Sequence, residues 1–175
     1  MHLRTWPTIA ALLLSAGCHR AGEASGEPVA NANLSSGGED AAGTAVFLPS
    51  GEGVVMVLNL TGLPPGVHGI HLHSVGRCDA PTFESAGPHL NPLGKLHGAQ
   101  NPAGAHMGDL PNITVDAGGR AAATIQIAVS PASLRAETAD PDKASVVVHA
   151  GPDDYRTDPS GNSGDRIACG ILDEA

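Results

Sequence analysis

Residues 44–60 read TAVFLPSGEGVVMVLNL, two runs of strand-forming residues on either side of Gly51-Glu52-Gly53. That pattern describes two antiparallel strands joined by a tight turn. Upstream, Val29 to Ser35 forms a third run, set off by Gly37-Gly38. Downstream, Pro64-Pro65-Gly66 precedes a strand carrying His68, His71 and His73, and strand signals return at Asn112 to Val115 and, after the turn Asp116 to Gly119, at Ala121 to Ala128. A connection from Ser130 to Lys143 leads to Ser145 to Ala150, and Ile167 to Leu172 closes the series. Eight short strands predict an all-β fold, an eight-stranded antiparallel Greek-key barrel or sandwich. Two segments have no periodicity: the stretch after His73 to about Pro111, full of Gly, Pro and His, and Gly151 to Asp165, rich in Asp and Gly. A stretch as long as the first is usually functional or disordered, and its histidines favour function.

Composition supports this reading. Aromatic residues make up 2% of the chain, while Gly numbers 23 and Pro 14. Gly and Pro punctuate short strands and cost helix interiors about 1 and 3 kcal/mol respectively. The formal net charge of −9 argues against nucleic acid as a partner. The length of 175 residues suits one domain with a core of its own.

The first 17 residues carry Arg4 as their only charge, then the apolar run Ile9 to Leu14, then Ser15-Ala16-Gly17. This is the form of an export signal, and the apolar run is too short to span a bilayer. Cys18, directly after the small-residue triplet, resembles the lipidated cysteine of exported bacterial lipoproteins, although Leu14 stands one place further back than usual. The alternative is an ordinary secretory signal cleaved nearby. Residues 19–27 are small and polar and read as a flexible tether, so the predicted organisation is a signal at 1–17, lipidated Cys18 and tether at 18–27, and a folded domain at 28–175. The lipid would anchor the protein to a membrane of the cell envelope. His19, standing where an aspartate would retain such a protein at the inner membrane, favours the outer one.

Seven of the nine histidines fall between His68 and His149. His71 and His73 are two apart in a strand, so their rings leave the same face and can share one ion. The long loop adds His89, His97, His106 and Asp109, and a distant strand adds His149. Six imidazoles and a carboxylate in one small domain are enough for two metal sites, since neutral imidazole is the commonest metal ligand.

Read together, Gly69-Ile70-His71-Leu72-His73, Ser85 to Pro92, His97-Gly98, His106 to Leu110, Val146 to His149 and Gly161 to Cys169 resemble, in order and spacing, the motifs of copper/zinc superoxide dismutases of the bacterial, exported type. The resemblance runs from about Val29 to Leu172. It implies one copper per subunit on His71, His73, His89 and His149, one zinc on His89, His97, His106 and Asp109, and His89 as the bridge between them. It implies that Asp153 fixes His71 and His97 from behind, with Asp154 as the alternative register, and that His68 is structural. Arg166 would attract superoxide, and Cys78 and Cys169 would form the disulfide that ties the metal-bearing loop to the last strand. The activity implied is disproportionation of two superoxide radicals to oxygen and hydrogen peroxide. Departures from the family pattern are Ser74, where an acid is common, Leu90, where an aromatic is frequent, and the absence of lysine from 151–165. A non-catalytic copper- or zinc-binding or metal-delivery protein of the same fold is the competing reading, and it would predict a missing copper ligand or arginine. An adhesion module would leave the histidine spacing unexplained. Bacterial relatives occur as monomers and as homodimers.

Overall fold

The computed structural model describes residues 26–37 and 40–175, so the stretch expected to be an export signal, Cys18 and most of the expected tether lie outside the described residues. Ten strands form: β1 (Ala30–Ser36), β2 (Ala41–Ser50), β3 (Gly53–Leu60), β4 (Gly66–His68), β5 (Ile70–His73), β6 (Ile113–Val115), β7 (Ala121–Ile127), β8 (Ser145–His149), β9 (Arg166–Ile171) and β10 (Asp173–Glu174). Seven of them run in the order β5-β8-β9-β1-β2-β3-β7, with β10 also on β1, and every pairing is antiparallel. β4 and β6 pair separately. Since β4 runs into β5 at one edge of the large sheet and β6 leads into β7 at the other, this short ribbon closes the curled sheet into a Greek-key barrel.

Period-two burial explains the strands. In β3, Val54, Met56, Leu58 and Leu60 are buried, and Met56 lies between its ladder partners Phe47 of β2 and Ile125 of β7 in one core. The hairpin of residues 44–60 closes at Ser50↔Gly53, as its turn signal predicts.

Two features depart from the sequence expectation. The strand holding His68, His71 and His73 is two strands that break at Gly69, and each half pairs with a different partner. The connection from Ser130 to Lys143 holds a helix, α1 (Pro131–Ala139). Ser130 caps it by accepting the Ser133 N–H at 3.0 Å, Pro131 stands in its first turn, and Leu134 is buried beneath it. Among the described residues no helix is long and apolar enough to cross a membrane.

β8 is buried along its whole length. Val146 and Val148 face the barrel core, whereas Val147 packs outward with Phe83, Ala86 and Cys169. The outer face of β5 and β8 is therefore roofed by the two long loops, and the site lies under that roof.

Candidate metal centre

Alternation along β5 sends Ile70 and Leu72 into the core and His71 and His73 to the outer face. β8 adds His149 on the same face, just past a register shift, opposite Arg166. The long loop folds back on β5, pairing His89 with His73 and Asp109 with His71. As a result His71, His73, His89 and His149 bring one donor nitrogen each to within 4.8 Å of one another, and His89, His97, His106 and Asp109 do the same beside them. His89 belongs to both groups.

Partners on the far side of each ring fix which nitrogen points inward. His71 Nε2 donates to Asp153 Oδ2 at 2.8 Å and His97 Nε2 to Asp153 Oδ1 at 3.0 Å. His73 Nδ1 donates to the Gly87 carbonyl at 2.9 Å, and His149 Nδ1 to the Gly164 carbonyl at 3.1 Å. The remaining nitrogens, His71 Nδ1, His73 Nε2, His89 Nε2, His97 Nδ1, His106 Nδ1 and His149 Nε2, are buried with no hydrogen-bond partner among the described residues. A buried polar atom without a partner costs about 1–3 kcal/mol, so six in one place call for a ligand.

Asp109 shows what kind. Its Oδ2 accepts the backbone N–H groups of Gly98 at 2.8 Å and His106 at 2.9 Å. Its Oδ1 meets His89 Nδ1 at 2.9 Å, His97 Nδ1 at 3.0 Å and His106 Nδ1 at 3.2 Å. A tetrahedral zinc with ligands at about 2.0–2.1 Å separates its donor atoms by about 3.3 Å, close to these spacings. Burial raises the Asp109 pKa, but the His89 contact and the two backbone donors outweigh it and hold the carboxyl well below its ordinary range. Burial, with His71 nearby, keeps His149 at about 3, and burial, partly opposed by Asp109, keeps His89 at about 4. Both rings are thus neutral at pH 7, the form that binds metal. Four imidazoles suit Cu(II), and three imidazoles with one carboxylate suit zinc, so the side chains present fit a copper and zinc pair.

The family model for copper/zinc superoxide dismutase (SODC) matches residues 41–172. The chain belongs to the copper/zinc superoxide dismutase family. It is 40% identical over 137 residues to superoxide dismutase [Cu-Zn] 2 of Aquifex aeolicus, covering 74% of this chain and 78% of that one. It is also 40% identical over 147 residues to superoxide dismutase [Cu-Zn] of Caulobacter vibrioides, covering 82% and 84%. Among solved structures, a SOD-like protein from Bacillus subtilis superposes with a TM-score of 0.73 at 36% identity, covering 81% of this chain and 97% of that one. The Cu/Zn superoxide dismutase from Brucella abortus gives 0.67 at 26%, with the same coverage.

Around these donor groups the remaining expected residues take up distinct places. Asp153 bridges His71 and His97, while Asp154 turns outward and organises its own loop, accepting from Arg156, Thr157 and Asn162. His68 sends both ring nitrogens to carbonyl oxygens, Pro64 at 2.9 Å and His149 at 2.8 Å, and joins neither donor group. Arg166 donates to the carbonyls of Phe83 at 2.7 Å and Gly87 at 2.8 Å, so it shares Gly87 with His73. Cys78 and Cys169 are bonded, with their Cα atoms 5.6 Å apart. Leu90 is a core residue, and the Ser74 N–H donates to the Pro88 carbonyl.

Sequence reading missed several supports. Asn112 clamps Asp153 from both sides of its amide, accepting the Asp153 N–H at 2.8 Å and donating to its carbonyl at 2.9 Å. Tyr155 accepts the Asn112 N–H at 2.8 Å. Gly161 packs so tightly on Asp153 that no side chain fits there. None of these has a local signature, because each acts through a residue far away in the chain.

Proposed function

We propose that the chain disproportionates superoxide using copper on His71, His73, His89 and His149 and zinc on His89, His97, His106 and Asp109, one of each per subunit. The observation that carries this reading is the set of six buried, unpartnered nitrogens converging in two groups that share His89. Copper held there would supply one-electron chemistry, by which one superoxide is oxidised to oxygen and a second, with two protons, is reduced to hydrogen peroxide, while zinc, without redox chemistry, would serve structure.

The protein's own side chains do the rest. Arg166, fixed by two carbonyls next to His73, presents a positive charge to the incoming anion; superoxide dismutases are themselves a standard case of such steering. His89 turns Nδ1 to Asp109 and leaves Nε2 buried without a hydrogen-bond partner, so Nε2 is the atom that would hold a proton between the two half-reactions. Asp153 keeps His71 and His97 in the tautomers that present Nδ1.

The test is superoxide dismutation by the purified protein loaded with copper and zinc, beside a metal-free control and His149→Ala. Activity that requires copper and is lost in the variant is the expected result. Tight binding of both metals without activity would instead identify a metal carrier.

We further propose that the protein works outside the cytoplasm as a domain spanning residues 28–175, carried on a lipid at Cys18, with the outer membrane favoured by His19. The Cys78–Cys169 bond suits an oxidising compartment. Intact-mass measurement of protein extracted from membranes should show an acylated N-terminal cysteine, and Cys18→Ser should release the protein into the soluble fraction. An unmodified N-terminus elsewhere in the leader would refute the anchor.

A further inference from the structure

The ligand histidines are not equally supported. His71, His73, His97 and His149 each donate their outer nitrogen to a carboxylate or carbonyl, and His89 turns both nitrogens inward. His106 is the exception: among the described residues its Nε2 makes no hydrogen bond, and the carboxylate facing it is Asp158, with Oδ1 at 4.0 Å. The same Asp158 oxygen accepts the backbone N–H of His97 at 2.7 Å. One carboxylate oxygen therefore bonds the main chain of one residue of the zinc group and lies 4.0 Å from the ring of another, and Asp158 has no hydrogen bond or ion pair with His71, His73 or His149.

We propose that Asp158 is a positioning residue for the zinc group alone. It pins the main chain at His97, and its charge holds the His106 proton on Nε2, leaving the Nδ1 lone pair directed toward Asp109 Oδ1. A cation on Nδ1 makes the ring more positive, so the attraction to Asp158 grows when metal binds. Carboxylates behind ligand histidines commonly act in this way. Asp153 serves both groups from the segment 150–165, whereas Asp158, from the same segment, serves one. Zinc loading and the order of that segment are thereby linked through Asp158.

This inference rests on the zinc reading of His89, His97, His106 and Asp109, and the experiment separates the two. Zinc and copper affinities of the full chain are measured by chelator competition, and the visible spectrum of the cobalt-substituted zinc group is recorded. The proteins compared are wild type, Asp158→Ala, Asp158→Asn and, as a control in the same loop, Asp154→Asn. Asp158→Ala should weaken zinc binding about 10- to 100-fold and shift the cobalt spectrum. Asp158→Asn should lose less, since its amide oxygen still accepts from His97, but it should remain weaker than wild type. Copper affinity should be unchanged in both, and Asp154→Asn should resemble wild type. An unchanged zinc affinity and cobalt spectrum in either Asp158 variant would overturn the inference. So would equal losses for copper and zinc, or a loss in Asp154→Asn as large as in Asp158→Asn. Should Asp158→Ala fail to fold, Asp158→Asn alone decides by the same criteria. A wild-type chain that binds no zinc at this group would remove the zinc reading and the inference with it.

Discussion

Gly161 illustrates how little space the centre leaves. It sits at φ +64°, and a Cβ there would overlap the Asp153 carboxylate and come within 2.7 Å of His97 Nε2. Gly161→Ala should therefore displace Asp153 from His71 and His97 and weaken binding of both metals about 10- to 100-fold, measured by chelator competition. Gly51→Ala, also at positive φ but with nothing within 4 Å, should cost only about 1–2 kcal/mol of backbone strain and leave metal affinity intact. Equal effects of the two substitutions would contradict this account. Asp154 makes a separate pH prediction. The Thr157 hydroxyl, then the N–H groups of Thr157 and Arg156, lower its pKa from 3.8 to about 2. Because the folded value lies below the unfolded one, the stabilisation is complete above about pH 4 and is lost as pH falls through about 2. A carbon-13 titration of the Asp154 carboxyl should give a midpoint near 2, and a midpoint at 3.8 would show that these donors do not hold it. The ligand residue types could be read directly from the chain, since imidazoles at strand spacing announce themselves. The glycine and amide supports could not, because their role is to fill or leave space beside residues distant in sequence.

At the scale of elements, α1 depends on its start. Ser130→Ala removes the cap on the Ser133 N–H and should cost about 1 kcal/mol in urea unfolding without altering metal binding. No loss of stability would mean that the cap contributes nothing. Ser130-Pro131 is a helix-start signal, but Leu134 is the only large apolar residue within Pro131–Ala139, so no periodicity reveals the helix. The division of the histidine strand at Gly69 was equally hidden: period-two spacing places His71 and His73 correctly, but it cannot say that Gly66–His68 pairs with β6 while Ile70–His73 pairs with β8. The hairpin of residues 44–60 was legible because its turn and both flanking strands lie within one short stretch.

In the whole molecule, the Cys78–Cys169 bond joins loop and barrel across a sequence separation of 91 residues. It packs with Phe83, whose carbonyl accepts from Arg166, so it supports both stability and the placement of the arginine proposed to meet the anion. Replacing both cysteines by serine should cost about 2–5 kcal/mol in urea unfolding and lower kcat/KM for superoxide more than it lowers copper affinity. Unchanged stability would show that the loop is held by other contacts. The barrel itself supplies β5, β8 and the register between them; the long loop after β5 brings in His89, His97, His106 and Asp109, the 151–165 loop places Asp153 behind His71 and His97, and His89 belongs to both donor groups. Anomalous diffraction at the copper and zinc edges from crystals of the metal-loaded protein tests whether that imidazole is shared. The expected result is one copper beside His71, His73 and His149, one zinc beside His97, His106 and Asp109, and the His89 ring lying between them with a nitrogen on each. A single ion, or two ions of which only one touches His89, would contradict it.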